Sequence, residues 1–318
     1  MKRVYASVLG PQIAEFITFK RAMGADFTGG EYLLRRFDAY CAETGATMID
    51  RGVCQGFVAA MDGGRIDTAR NWTSYLRGFG HWMRRHGDPQ AFVLPGHYTP
   101  RTARRETYLL THAEVSAFFQ AATGLTGPRP WAWQATAFFG LMHSCGLRTC
   151  EARNLGCDDV DLPGLAVMIR DSKGPRTRRL PITQDVAMML AACDRQNTRL
   201  WPGRATLFTT ATGRPVNPST PGVVFKHVWI AAGLTWPATP PFPRPYDLRH
   251  RFAYANLERW AAAGLDTTAM LAYLSRYMGH KAPSSTLYYL HVSPDFITSY
   301  DTLAHTSAVL LPEVGFDE

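Results

Sequence analysis

Three short motifs lie within residues 246–292 and constrain this chain more than any other feature. They are YDLRHRF, which starts at residue 246, YMGH at 277–280, and TLYYLHV, which starts at residue 286. Together they bring an arginine, a histidine and a pair of adjacent tyrosines close enough in sequence to fold around one site. A cationic clamp, a proton-transfer group and a hydroxyl nucleophile are what phosphoryl transfer onto a protein oxygen requires.

This stretch resembles the catalytic C-terminus of the tyrosine recombinase (phage integrase) family, whose pattern is H-x-L-R-H, then L-G-H, then T-x-x-Y-x-H. Two upstream segments extend the resemblance. Residues 146–155 are similar to the family segment G-L-R-x-x-E-x-x-x-L, with Arg148 and Glu151 at the matching positions. Residues 165–183 predict a β-hairpin similar to the one that carries the family lysine in the form G-K-G-x-x-x-R-x-x-P. Lys173 is the matching residue, although Ser172 replaces the first glycine.

The resemblance implies a site that needs neither a metal nor any other cofactor. Its catalytic residues would be Arg148, Lys173, Tyr246, Arg249, His280 and Tyr289, with Glu151, His250 and His291 in supporting roles. Tyr246 departs from the family pattern, which has a histidine at this position. Tyr288 competes with Tyr289 for the role of nucleophile, but adjacent helical residues point about 100° apart and only one can face the phosphate. The spacing from His280 and the Tyr-x-His pattern favour Tyr289.

The fold class expected is mainly α with a small β-hairpin or sheet. Apolar periodicity predicts four helices, at 11–24, 31–44, about 52–62 and about 67–86. They would form an N-terminal helical core-binding (SAM-like) domain over 1–95, as the resemblance implies. A proline-rich basic linker would cover 96–106, and an α+β catalytic domain with a C-terminal tail would cover 107–318. Thr111 and Glu114 form a capping-box pattern at the start of its first helix.

Three groups of arginines are candidate DNA contacts. They are Arg70, Arg77 and Arg84 along the fourth helix, Arg101, Arg104 and Arg105 in the linker, and Arg176, Arg178 and Arg179 in the hairpin. A seven-residue spacing places the first group close to one line on its helix. The first two groups have plainer alternatives, respectively a solvated helix face and a charged hinge. For the hairpin, the alternative to a catalytic Lys173 is a basic hairpin that only touches backbone phosphates.

Composition is compatible with a polyanionic partner. The net charge is +8, which suits double-stranded DNA, although many basic proteins bind no nucleic acid. The six cysteines include no C-x-x-C pair, so reduced thiols are expected rather than a metal site. No apolar run long enough for a membrane span and no convincing signal peptide is visible, so we expect a cytoplasmic, nucleoid-associated bacterial protein.

The sequence thus predicts a site-specific recombinase, typical of an integrase from a mobile element. The resemblance implies a homo-tetramer in the synaptic complex. It leaves open whether the protein is a monomer in solution and whether sister recombinases take part. It also implies that the tail 293–318 packs on a neighbouring protomer. Two alternatives stay open. One is a type IB topoisomerase-like DNA relaxase with the same chemistry, and the other is a DNA-binding accessory protein whose catalysis is impaired by Tyr246.

Overall fold

A computed structural model describes residues 5–61, 66–96, 106–170, 177–280 and residue 286. The chain divides into two compact units, Met1–Arg105 and Glu106–Glu318. The boundary falls within the stretch that the sequence predicts as a linker. All six cysteines are free.

The first unit is built from four helices, each within a few residues of its predicted position. They are α1 (Gly10–Ala22), α2 (Thr28–Thr44), α3 (Arg51–Met61) and α4 (Ile66–Arg85). Their inward faces meet in an aromatic core in which Phe16, Phe37, Phe57 and Phe79 are almost completely buried. The chain that follows α4 packs back onto this core, where the Phe92 amide donates to the Ile49 carbonyl at 2.6 Å.

The second unit begins with the predicted capping box. The Glu114 amide donates to Thr111 Oγ1 at 3.2 Å, and the Thr111 amide donates to Glu114 Oε2 at 2.8 Å. This cap starts α5 (His112–Thr123). The elements that follow are α6 (Trp131–Ser144), α7 (Thr149–Arg153), β1 (Val160–Asp161), β2 (Ala166–Ile169), β3 (Arg178–Pro181), α8 (Gln184–Leu200), α9 (Thr220–Ala231), α10 (Pro245–Ala262) and α11 (Thr267–Tyr277).

A three-stranded antiparallel sheet in the order β1-β2-β3 lies beside these helices. The strands β2 and β3 form the predicted hairpin, with Val167 paired with Leu180. The short strand β1 adds to its edge, where Val160 pairs with Val167. The described part of the chain is therefore mainly α with a small sheet, and the predicted fold class is confirmed.

Helix α6 forms the centre of the second unit. Its side chains Phe138, Phe139 and Leu141 are fully buried, and α5, α8 and α10 pack against it. The far end of α10 makes a second small core with α11, formed by Ala253, Tyr254, Leu257, Leu271, Leu274 and Met278. Because α10 joins both cores, the residues in its first turns are held rigidly against the end of α6.

Candidate functional site

The buried carboxylate of Glu151 lies at the centre of the candidate site. It accepts hydrogen bonds from the Arg148 amide at 2.8 Å and from Arg148 Nη1 at 2.6 Å. It also accepts from both terminal nitrogens of Arg178, at 3.1 and 2.8 Å. Burial alone would raise the pKa of Glu151, but the hydrogen bonds and charges of Arg178 and Arg148 outweigh burial and hold the pKa below its ordinary value. Glu151 therefore holds Arg148, three residues before it, through both the main chain and the side chain.

Arg249 is fully buried beneath this carboxylate. Its Nη1 donates to the Gly146 carbonyl and lies 3.8 Å from Glu151 Oε2. Its Nη2 donates to the Met278 carbonyl at 2.8 Å. The GLR and MGH segments, far apart in sequence, are therefore joined through one guanidinium.

Two glycines make this close packing possible. Gly146 has a φ of +60°, and a Cβ there would lie 2.5 Å from Phe252 Cδ1. Gly279 has a φ of +65°, and a Cβ there would lie 2.7 Å from Arg178 Nη1. The Gly279 carbonyl accepts a hydrogen bond from Arg148 Nη2 at 2.8 Å. Both glycines thus have a left-handed backbone and a close neighbour, and each presents its carbonyl to a site arginine.

His280 is held in one tautomer by its partners. Its Nε2 lies 2.9 Å from Arg249 Nη2, and a guanidinium can only donate, so Nε2 accepts. The Nδ1–H then donates to Thr286 Oγ1 at 2.7 Å. Burial, followed by the charges of Arg249, Arg148 and Arg178, lowers the pKa of His280 to about 4. The imidazole is neutral near pH 7 and presents its lone pair towards the arginines.

Tyr246 and His250 lie one turn apart at the start of α10. Their rings meet edge to face with centroids 4.9 Å apart. Burial, and after it the charges of Arg244 and Arg249, lower the pKa of His250 to about 3. Burial would lower the pKa of Arg148, but Glu151 and, to a smaller extent, Tyr246 raise it. Tyr246 therefore packs on His250 at the start of the helix that also carries Arg249.

Several predicted residues lie outside the part of the chain that the structure describes, and their roles stay predictions. They are Lys173, Arg176, Tyr288, Tyr289, His291, Arg101, Arg104 and Arg105. Arg70 lies on α4, but its side chain is also outside the description.

The two remaining arginines of the α4 row hold main-chain oxygens. Arg77 donates from Nε to the Leu94 carbonyl and from Nη2 to the Pro95 carbonyl, each at 2.7 Å. Arg84 Nε donates to the Ala91 carbonyl at 2.7 Å. These contacts fasten the segment after α4 to the helix, a role that the seven-residue spacing does not reveal.

Arg178 and Arg179 have different surroundings although they are neighbours on β3. Arg178 binds Glu151, whereas Arg179 lies on the exposed side and binds Asp161 at 3.1 Å and the Gly164 carbonyl at 3.3 Å. The membership of Arg178 in the cluster was missed by sequence reasoning. The alternation of side chains along a strand could have revealed it. Residues 178 and 180 lie on the same face of β3, and Leu180 is an apolar residue expected in the core.

Within the described ranges, no group of three or more His, Cys, Asp or Glu side chains is arranged to hold a metal ion. No helix in the same ranges is long and apolar enough to cross a membrane.

Comparison with known proteins identifies the family. The sequence model of the phage integrase family matches residues 109–295. Among similar sequences, y4rE of Sinorhizobium fredii, assigned as an integrase/recombinase, is 28% identical over 299 residues, which cover 92% of this chain and 94% of the relative. The tyrosine recombinase XerC of Rhodospirillum centenum is 29% identical over 273 residues, covering 82% and 73% of the two chains.

Solved structures share the fold at low sequence identity. The Tn1549 transposon integrase in complex with transposon right end DNA has a TM-score of 0.64 at 17% identity, with 94% of this chain and 99% of that chain covered. A lambda integrase tetramer bound to a Holliday junction has a TM-score of 0.59 at 14% identity, with 88% and 76% covered. Because the family model matches more than half of the sequence, the chain belongs to the phage integrase family of tyrosine recombinases.

Proposed function

We propose that this protein is a site-specific DNA recombinase that cleaves and rejoins DNA through a 3′-phosphotyrosyl intermediate. The observation that carries the proposal is the cluster around Glu151, in which Arg148, Arg178, Arg249 and His280 come together from four separate segments. Three guanidinium groups and one carboxylate carry a formal charge of three minus one, or plus two. Such a cluster is suited to binding a phosphodiester. The solved complex of the similar Tn1549 integrase with DNA supports the proposal that this phosphodiester belongs to DNA.

Arg148 and Arg249 would hold the two non-bridging oxygens of the phosphate that is attacked. The Arg148 side chain is 29% exposed and is therefore the more accessible of the two. Arg249 would reach the phosphate after small changes in its contacts with His280 and the main chain. Preorganised donors of this kind stabilise the extra negative charge of the transition state, where one donor is worth roughly 3–4 kcal/mol.

The chemistry requires two proton transfers. The Tyr289 oxygen would attack phosphorus and form the P–O bond to tyrosine, while the bond from phosphorus to the 5′-oxygen breaks. The lone pair of His280 Nε2, which accepts from Arg249 in the free protein, would accept the tyrosine proton. Lys173 would donate a proton to the departing 5′-oxygen. The reverse sequence rejoins the strand, and no high-energy cofactor is consumed because the phosphodiester energy is conserved.

The nucleophile can be tested by covalent trapping on DNA that carries a nick next to the cleavage position. Tyr289→Phe should abolish the covalent complex and leave DNA binding nearly unchanged. Tyr288→Phe is the matched control and should still cleave. Exchanged phenotypes would move the assignment by one residue.

A chelator should leave cleavage unchanged, and activity that is lost in EDTA and restored by a divalent ion would contradict this mechanism.

The same proposal includes assembly into a tetramer and a DNA clamp formed by the first unit. A groove of about 1070 Å³ beside the cluster is lined by apolar side chains such as Phe252, Trp260 and Leu274, and by Arg179, Arg259 and Arg276. The tail of a neighbouring protomer would dock in this groove. Its apolar Val309, Leu310 and Leu311 match the apolar lining, and the acidic Glu313, Asp317 and Glu318 that follow match the arginines. Burial of such apolar side chains stabilises the contact by about 2 kcal/mol each.

Deletion of residues 303–318 tests this partner. Binding to a single site should survive, whereas synapsis and coordinated cleavage of two duplexes should fail. A truncated chain that recombines two marked duplexes as fast as the full chain would rule out docking of the tail.

A further inference from the structure

Arg244, the residue immediately before α10, is held by a buried carboxylate. Its amide donates to Asp247 Oδ2 at 2.7 Å, and its Nη2 lies 3.3 Å from Asp247 Oδ1. Asp247 is fully buried, whereas the Arg244 side chain is 37% exposed. Asp247 therefore holds the guanidinium in place while part of it remains accessible to a ligand.

Much of the hydrogen-bonding capacity of Arg244 is unused in the described part of the chain. Its Nε is buried but has no acceptor there, and its contact with Asp247 is long for a charge-assisted hydrogen bond. The Nε of Arg178 likewise has no acceptor there, but Arg178 places both terminal nitrogens on Glu151. The terminal nitrogens of Arg244 therefore make one long contact in the described part of the chain while the side chain is partly exposed, so donors remain for an anionic ligand.

Arg244 is also close to the proposed phosphate site. The His250 ring packs against Tyr246, and after burial the charge of Arg244 is the largest cause of the lowered His250 pKa. Arg244, Tyr246 and His250 thus share one neighbourhood at the N-terminus of α10. The positive end of the helix dipole adds to the attraction that this neighbourhood exerts on an anion.

Tyr246 leaves this end of the site without a charged donor of its own. A tyrosine hydroxyl can donate one hydrogen bond but carries no positive charge. A guanidinium is always charged and binds phosphate through planar pairs of hydrogen bonds. We propose that Arg244 binds a backbone phosphate of the cleaved strand and supplies the positive charge that Tyr246 lacks, an inference that rests on the recombinase function proposed above.

Single-turnover formation of the covalent complex on saturating nicked DNA tests the role of Arg244. Arg244→Gln should slow this step roughly 10- to 100-fold, at most the lower limit of about 10²-fold for loss of one preorganised donor. Arg244→Lys should slow it less, because it keeps the charge but loses the planar geometry. Arg199→Gln, an equal loss of charge at an exposed position near the end of α8, is the control and should match the wild type.

A scan with neutral methylphosphonates separates phosphate binding from a structural role. When the phosphate that Arg244 binds is replaced by a neutral methylphosphonate, the wild type should react more slowly. The rate of Arg244→Gln should fall little below its rate on natural DNA, so that the two rates converge. At the other phosphates the ratio of the two rates should stay as on natural DNA. If Arg244→Gln does not fold, Arg244→Lys should show the same convergence over a smaller range.

Two results would overturn the inference. One is an unchanged cleavage rate in Arg244→Gln. The other is a ratio of wild-type rate to Arg244→Gln rate that is the same at every methylphosphonate position, which would mean that Arg244 only supports the start of α10. Absence of a covalent complex in the wild type would instead contradict the recombinase proposal itself. Adding Tyr246→His to Arg244→Gln should restore part of the rate, since a histidine can carry the missing charge.

Discussion

The arginines of the two units differ in what they bind. In the first unit, Arg77 and Arg84 donate to main-chain carbonyls of residues 91–95. In the second unit, Arg148 and Arg178 converge on the Glu151 carboxylate, and Arg249 lies just beyond hydrogen-bond distance of it. A carbonyl satisfies a guanidinium donor without neutralising its charge, whereas a carboxylate removes one charge and fixes the geometry of several arginines at once. The first arrangement fastens a segment, and the second preorganises a site for an anion.

The largest effect is expected when the shared carboxylate is lost. Glu151→Gln leaves the buried guanidinium groups without their countercharge, and breaking a buried ion pair on one side costs about 3–5 kcal/mol. Urea unfolding at pH 7.5 should show a loss of this size, together with loss of DNA cleavage. Glu258→Gln, which removes the exposed partner of Arg251, is the matched control and should cost less than about 1 kcal/mol. Equal losses in the two variants would show that the buried carboxylate shared by the arginines stabilises the second unit no more than an exposed ion pair does.

The main-chain clamp of the first unit should have an intermediate effect. Arg77→Gln removes two charge-assisted hydrogen bonds and should lower the free energy of unfolding by about 2 kcal/mol. Exposed Arg85→Gln on the same helix is the control and should change it by less than about 0.5 kcal/mol. The slope of log binding constant against log salt should change by less than about one unit. A full unit of change for Arg77→Gln would show that its remaining amino group binds phosphate, as the seven-residue spacing suggests.

Burial, and after it the charges of the arginine cluster, should also produce a pH effect through His280. Its pKa of about 4 in the folded chain lies below the ordinary value of 6.5, so the unfolded chain binds more protons between these values. The stabilising effect of the neutral form is present above about pH 6.5 and is lost as the pH falls, at up to about 1.4 kcal/mol per pH unit. His280→Asn should therefore show a weaker decline in unfolding free energy between pH 7 and pH 5 than the wild type. Parallel curves would show that His280 does not titrate against the arginines.

The smallest effect is expected at Tyr246. Loss of one neutral hydrogen bond is worth about 0.5–1.5 kcal/mol, so Tyr246→Phe should slow cleavage roughly 2- to 12-fold. Tyr246→His should preserve or raise the rate. Single-turnover cleavage measures both, and equal rates for the wild type and the Phe variant would show that the hydroxyl takes no part.

Local sequence signals predicted the parts of this fold that depend on local interactions. Periodicity predicted the four helices of the first unit and the hairpin in which Val167 pairs with Leu180. Capping chemistry predicted the Thr111 capping box. Strand β1 was missed because two residues are too few to show alternation. The acceptors of Arg77 could not be predicted either, since they are main-chain atoms 17 and 18 residues further along the chain. Side-chain spacing carries no information about where such carbonyls lie.

In the second unit, the matched motifs contain Arg148, Glu151, Arg249 and His280, which the structure brings together, but they do not show how these residues share partners. Gly146 and Gly279 are explained only when the neighbouring Phe252 and Arg178 are seen. The same is true of Arg178, which the sequence places among the DNA contacts and the structure places on Glu151.

The hydrogen bond between His280 and Thr286 sets a limit on the movement of the proposed nucleophile. Thr286 is almost completely buried, and Tyr289 follows it by three residues. Three extended residues span at most about 11 Å, so while Thr286 stays anchored the tyrosine backbone cannot travel further than this from the anchor. If Tyr289 is the nucleophile, as proposed, the anchor that limits its reach belongs to its own chain. Cleavage by Tyr289 would then be a reaction within one chain for as long as the hydrogen bond between His280 and Thr286 holds.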